Sequence, residues 1–408
     1  MALLPAALRT LARRAAMLFG ALWVAPFPLD HLPWLGSRVD TASTWLWDHL
    51  VPPFARYVLR LPDVARDPTT GSGDTLFDFA RFALMLALAA TGTIAWTLVD
   101  RARSRDVTLV EWLRVGLRYR LAFVMLTYGF AKVFNSQFPL PKASHLLVTY
   151  GESSPQGLLW RFMGASTAYT FFGGALECAG AVLLFSRRTT TLGALLITAV
   201  MSNVLMLNLC YDVGVKLYSA LYLSVALVLA APDLGRLATL LVLRRRVAAR
   251  RIAPHFASVR ARGVALTLKL AFLSVAVFGS VQHAYFAWTP THGETLGPAI
   301  RGTYEVVSMT IAGADEPAAG SRVVLQRGYF ALRRADGTMT SFPFALDLAT
   351  TRLVGEDRNV LRYQGDGGPE LALDGTIDDV SYALTLRRLP QPLLERGFHW
   401  VTDKPFYR

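Results

Sequence analysis

Seven apolar stretches separated by clusters of arginine fill residues 1–288 and leave few folds open to the chain. A helix needs roughly 20 residues to cross a hydrocarbon core. Six stretches of that size lie near 75–99, 113–134, 166–186, 191–212, 214–231 and 263–287. A weaker one, Ala15–Phe27, follows Arg9, Arg13 and Arg14. Pro26 and Pro28 stand where a small-residue cleavage site would belong, so an uncleaved first helix is expected in preference to a signal peptide. The composition agrees. Of 408 residues, 53% are hydrophobic and 17% charged, where soluble domains hold about 25% charged.

Basic clusters fall between alternate stretches: Arg101, Arg103 and Arg105; Arg187 and Arg188; then Arg236, Arg244, Arg245, Arg246, Arg250 and Arg251. With the N-terminal arginines they define one cytoplasmic face. The expectation is a polytopic α-helical protein of the cell inner membrane with seven spans. Its N-terminus is cytoplasmic and its C-terminal domain periplasmic or external. Residues 289–408 carry 13 basic and 15 acidic side chains, so the formal net charge of +13 resides in the membrane part. Charge so placed sets topology. No aromatic-interleaved basic groove accompanies it, so the expected partner is the lipid bilayer and not a nucleic acid.

Between the first two stretches, residues 29–74 are too polar to span. Trp34, Trp45 and Trp47 there suit either an interfacial segment with its rings at the headgroups or a loop packed on the bundle. Beyond a linker at 289–300, alternating segments follow at Tyr304–Ile311, Arg322–Arg334, Met339–Leu346, Val360–Tyr363, Glu370–Leu373 and Val380–Leu386. Asp336-Gly337 and Asp374-Gly375 read as hairpin turns. These features predict an all-β extramembrane domain, a small antiparallel sandwich or barrel. The aromatic, basic tail Arg396–Arg408 either closes a barrel or rests on the membrane face. Four divisions result: 1–112, N-terminal spans with an external amphipathic loop; 113–240, a four-helix membrane unit; 241–288, a cytoplasmic basic linker and the last span; and 289–408, the β domain.

The stretch Leu117–Asn135 carries Lys132 near one end. A charge at membrane depth costs on the order of 3 kcal/mol or more unless paired or hydrated, so it marks a candidate functional site. With Met125 at mid-span, Lys132 lies roughly 10 Å toward the outside. Asn208, Gln282, His283, Lys216 and Tyr218 fall at similar outer depth, and Glu177 near mid-membrane. Lys132 and Glu177 are the candidate catalytic pair; Asn208, Tyr218, His283 and Gln282 are candidate pocket lining. A lysine also snorkels or pairs structurally, and Asn203 and Asn208 also serve as interhelical hydrogen-bonding groups. His283 alone at membrane depth excludes bis-histidine haem. No H-E-x-x-H, G-x-S-x-G, Walker loop or C-x-x-C occurs, and Cys178 and Cys210 differ in depth, so neither metal site nor disulfide is expected.

The runs Y-G-F-A-K-V-F (128–134), F-M-G-A-S-T-A-Y (162–169), G-G-A-L-E-C-A-G-A-V-L-L-F (173–185) and N-V-L-M-L-N-L-C-Y-D-V-G-V-K-L (203–217) resemble the DoxX-like family over residues 113–240. The resemblance implies a four-helix membrane module. Some members of that family are linked to quinone-coupled thiosulfate oxidation or redox-stress complexes. A helical membrane part with an outward β domain is also similar, in architecture alone, to the vitamin K-dependent carboxylase group. Two expectations follow. In one, the chain is an accessory or subunit in quinone-linked redox chemistry, with no tightly bound cofactor, a diffusible quinone and a membrane or periplasmic redox partner. In the other, it is a non-catalytic anchor whose β domain binds an external partner. Solute transport is weaker, because no broken helices recur in repeated halves.

Overall fold

The computed structural model describes residues 6–32, 34–69, 71–100, 104–248, 258–292, 300–326, 328–347, 351–355, 359–365, 368–390 and 393. The chain divides into two compact units. One is Met1–Phe134 with Phe171–Ala284; the other is Asn135–Thr170 with Tyr285–Arg408.

The first unit is helical. It contains α1 (Ala6–Val24), α2 (Gly36–Tyr57), α3 (Leu76–Val99), α4 (Ser104–Val133), most of α7 (Thr167–Leu184), α8 (Thr190–Cys210), α9 (Lys216–Leu241) and most of α10 (Val259–His292). Among the described residues five helices are long and apolar enough to cross a membrane, as a multi-pass membrane protein requires: α3, α7, α8, α9 and Val259–Gly279 of α10. The core of this unit lies along α4, α8 and α9, where Leu121, Ala122, Ile197, Ala226 and Leu229 are fully enclosed.

Several expectations shift. The first helix begins at Ala6 and ends at Val24, ahead of Pro26, so its arginines lie on the helix itself. Arg14 is 1% exposed. It donates to the Asp100 carbonyl (3.0 Å) and Thr97 Oγ1 (3.3 Å) at the end of α3 and lies over the Trp96 ring. A cation bonded to a helix C-terminal carbonyl is favourably placed in the helix dipole. Arg14 is therefore a buried α1–α3 tie and not a solvent-facing topology charge. The span expected at 214–231 continues through Pro232 to Leu241. Near the turn where proline removes an N–H, Arg114 of α4 donates to the Leu229 carbonyl at 2.8 Å. The last helix runs to His292, into the expected linker. Residues 29–74 contain the full helix α2; Trp47 is buried against Phe77 and Leu84 of α3, whereas Trp34 and Trp45 are exposed.

The second unit combines the α4–α7 connection with a β-barrel. Among the described residues the strands are β1 (Gly302–Ile311), β2 (Ala314–Glu316), β3 (Arg322–Gln326), β4 (Tyr329–Arg333), β5 (Met339–Asp347), β6 (Arg352–Gly355), β7 (Val360–Gln364), β8 (Glu370–Ile377) and β9 (Val380–Leu389). All pairings are antiparallel, in the order β2-β1-β3-β4-β5-β6-β7-β8-β9, and β1 pairs with β9 to close the ring. Closure removes the free edges that an open sheet would leave. The tail Arg396–Arg408, one expected route to closure, lies outside the described residues. A bulge between Val306 and Ser308 bends β1, whose first half pairs with β3 and whose second half pairs with β2. Alternate residues fill the barrel, with Phe330 stacked on Phe342 at 4.9 Å.

The turn at Asp336-Gly337 forms as expected, with Gly337 at φ 89°. Asp374-Gly375 does not turn. It lies within β8, where a Cβ at Gly375 would stand 2.0 Å from the Val360 carbonyl oxygen. That glycine serves close strand approach, and the β8–β9 turn falls at Asp378-Asp379 (φ 50° and 63°). The segment read as one strand, Arg322–Arg334, is the β3–β4 hairpin.

The α4–α7 connection forms α5 (Ala143–Leu147) and α6 (Pro155–Ala165). Leu147 covers Val324 and Ala331 on the outside of β3 and β4. Arg333 donates to the Leu147 carbonyl and to Glu152 Oε1, each at 2.6 Å. This guanidinium and the Thr149 N–H and hydroxyl hold the Glu152 carboxyl below its ordinary pKa.

Candidate functional site

Two glycines bring α4 and α7 together. A Cβ on Gly174 would stand 2.5 Å from the Gly129 carbonyl oxygen, and one on Gly129 would stand 2.6 Å from Cys178 Sγ. Small residues let membrane helices approach at backbone distance. Lys132 and Glu177 each follow their glycine by three residues, hence on the same helix face. They meet across the contact: Lys132 Nζ donates to Glu177 Oε1 at 2.9 Å and Oε2 at 2.8 Å. Lys132 is 8% exposed and Glu177 2%. Each ion stripped of water costs several kcal/mol, offset only when geometry is good and the charges are matched. A carboxylate with both oxygens on one ammonium meets that condition.

A series of tyrosines leads away from this pair. The Lys132 ammonium lies 5.7 Å from the Tyr128 ring centre. The Tyr128 and Tyr222 rings lie against each other, their centres 6.4 Å apart. Tyr218 and Tyr222, four residues apart and so on one face of α9, have ring centres 6.3 Å apart. The Tyr218 hydroxyl donates to Asp78 Oδ1 at 3.0 Å. Asp78 in turn closes a reciprocal cap with Thr75 at the start of α3: Thr75 Oγ1 donates to Oδ2 at 2.6 Å. Absence of a side chain at Gly73 makes room for the Tyr218 ring, which a Cβ would approach to 2.7 Å.

Asp74 anchors the same end. Its carboxylate accepts the backbone N–H groups of Lys216 (2.7 Å) and Leu217 (2.9 Å), capping α9 from a distant segment. Lys216 Nζ reaches Asp212 at 2.8 Å and Asp74 at 3.6 Å.

Of the six residues expected at the site, Lys132 and Glu177 bond directly, and Tyr218 joins them through Tyr222 and Tyr128. Asn208 is buried but bonds Ser219 Oγ across α8 and α9 at 3.1 Å, the structural reading of that asparagine. Asn203 is exposed. Gln282 is exposed on α10, and the His283 side chain lies outside the described residues. Asp74, Asp78, Tyr128 and Tyr222 were not anticipated. Thr75-x-x-Asp78 is a readable capping signal, and Tyr128 stands four residues before Lys132, one helical turn away. Among the described residues no three of His, Cys, Asp or Glu come together to hold a metal, and both cysteines are free.

Chemically, the arrangement offers a paired acid and base and a line of hydroxyls ending on a carboxylate. Of these hydroxyls, that of Tyr218 is bonded to its carboxylate, Asp78, and can exchange a proton with it. Tyr128 is 37% exposed on the bundle surface, so one member meets the surroundings directly.

Comparison with known proteins adds kinship. The chain is 33% identical over 125 residues to the Uncharacterized protein YwoB of Bacillus subtilis (strain 168), an alignment covering 28% of this chain and 73% of that protein. This chain belongs to the YwoB family. No protein-family model matches it, and no solved structure does. As YwoB is itself uncharacterized, membership of the YwoB family brings no activity with it, and the chemistry rests on the residues above.

Replacing Lys132 with alanine strands a buried carboxylate and is expected to lower stability by about 3–5 kcal/mol. The pair Lys132→Met with Glu177→Leu is expected to recover most of that loss. Chemical unfolding in mild detergent measures both. A single variant as stable as the parent would contradict the buried pair.

Proposed function

We propose that this chain is a seven-span, DoxX-like protein of the inner membrane, acting as an accessory or subunit in quinone-linked redox chemistry. The observation that carries the proposal is the enclosed Lys132–Glu177 pair, beside which the adjacent rings of Tyr128, Tyr222 and Tyr218 lead to Asp78. A lipid-dissolved quinone reaches Tyr128 from the bilayer. Lys132 faces the negative charge that develops on its oxygen, and Glu177 takes or returns a proton. A membrane or periplasmic redox partner exchanges the electrons.

The span count rests on α1 and α4 joining the five apolar helices. Charges on α4 find partners inside the unit: Arg114 on the Leu229 carbonyl, Arg120 on Asp30 at 2.9 Å, and Lys132 on Glu177. An independent parity argument supports the arrangement. The α4–α7 connection is bonded to the barrel, which supports a reading with both on one side of a bilayer. Between them run α7, α8, α9 and α10, an even number of crossings. The arginine clusters put that side outside.

A second reading has its own observation. Both oxygens of Glu177 are taken by Lys132, so the pair also serves as a helix clamp in a non-catalytic anchor whose barrel recruits an external partner.

Titration of the detergent-purified protein with a short-chain ubiquinone analogue separates the two. Saturable binding is expected in the parent and a loss of at least about tenfold in the stable double variant Lys132→Met, Glu177→Leu. Equal binding by both, or none by the parent, with a partner captured through residues 289–408, establishes the clamp. A reporter fused after Arg408 is expected to be active only outside the cytoplasm; cytoplasmic activity overturns the orientation.

A further inference from the structure

A cavity of about 330 Å³ lies within the α4–α7 connection, apart from the Lys132–Glu177 site. Lys142, His145 and Arg161 all line it, and no carboxylate does. Burial pushes the His145 imidazole down from its ordinary pKa, and Arg161 and Lys142 push it further, as expected of cations facing one another. Arg161 Nη2 is shut off from solvent and has no hydrogen-bond partner in the structure. A buried guanidinium donor without an acceptor is costly, and such a group calls for an explanation.

The start of α6 adds to the same field. Pro155 occupies the first turn, and Ser154 Oγ accepts the Gly157 N–H at 3.1 Å. Both Ser154 and Gly157 line the cavity, so the positive end of an eleven-residue helix opens onto it. The remaining wall is Gln156 together with an apolar part, Trp160 and Pro139-Leu140-Pro141. Lys142 is also held over the Tyr329 ring, 5.1 Å from its centre, which fixes one cation at the rim.

We propose that this cavity binds a phosphate monoester carrying an apolar stem. A phosphomonoester brings a charge of about −1.5 to −2 and three acceptor oxygens. That matches two or three converging cations and a helix N-terminus better than a single carboxylate does. Arg161 supplies planar, paired donors to the phosphate, and the stem lies against Trp160. The same chemistry is found in a phosphatidic acid headgroup and in a soluble organic phosphate.

Calorimetric titration of the full chain in a neutral detergent distinguishes these sources, with hexyl phosphate and dihexanoyl phosphatidic acid as probes. Saturable binding of at least one probe is expected. Arg161→Gln is expected to weaken it by about tenfold or more, while Arg387→Gln, on the exposed face of β9, leaves it unchanged. The exposed Lys142→Gln provides a second variant should Arg161→Gln misfold, with a smaller loss expected. Tighter binding of the lipid by about tenfold or more assigns a headgroup site; comparable binding assigns a soluble ester. Absence of saturable binding by either probe, or binding indifferent to both cavity variants, overturns the proposal.

Discussion

An ammonium and a carboxylate removed from water together set the terms for the helical unit. Each ion alone would be expelled or neutralised, so the two must meet at full contact. Full contact in turn requires α4 and α7 to touch at backbone distance, which Gly129 and Gly174 provide. With that crossing fixed, Tyr128 is held one turn below Lys132, where it meets Tyr222 of α9. Asp74 and Asp78 hold the start of α9 and its tyrosine from the start of α3. Four helices are thus tied at one end through polar contacts, and α4, α7 and α9 share an apolar core beyond it.

Cations elsewhere in the unit follow the same logic by different means. Arg14 and Arg114 bond helix carbonyls, and Arg120 bonds Asp30, which His31 also holds at 2.8 Å. Helices rich in arginine thereby remain compatible with a low-dielectric surrounding, although their average hydropathy falls short of a simple span. In the second unit the constraint is a different one. Among the described residues a ring of eight strands, β1 and β3–β9, closes β1 on β9, and its β3–β4 face is covered by Leu147 from a segment more than 150 residues earlier in the chain.

Depth along a helix is legible in sequence because the rise per residue is constant. That is why Lys132, Tyr218 and Asn208 could be set at comparable levels; Glu177, expected nearer mid-membrane, is reached because the lysine side chain extends to it. Azimuth is less legible: the meeting of Lys132 with Glu177 depends on which face of each helix the glycines present. Asn208 and Tyr218 share that depth, yet one closes on Ser219 and the other continues the tyrosine series. The helix boundaries failed where charge broke the apolar pattern, at Arg14 and beyond Pro232. In the barrel, Asp336-Gly337 and Asp374-Gly375 are identical dipeptides with different fates. The crowding of Gly375 by the Val360 carbonyl separates them, and that arises from the pairing of β8 with β7, which the dipeptide alone does not display.

The ionised state of the buried pair is the central claim, and difference infrared spectroscopy between the parent and Glu177→Gln tests it most directly. The account predicts that the substitution removes a carboxylate stretching band. Loss of a protonated carboxylic acid band instead would mean that Glu177 is neutral, and that no ion pair organises the bundle.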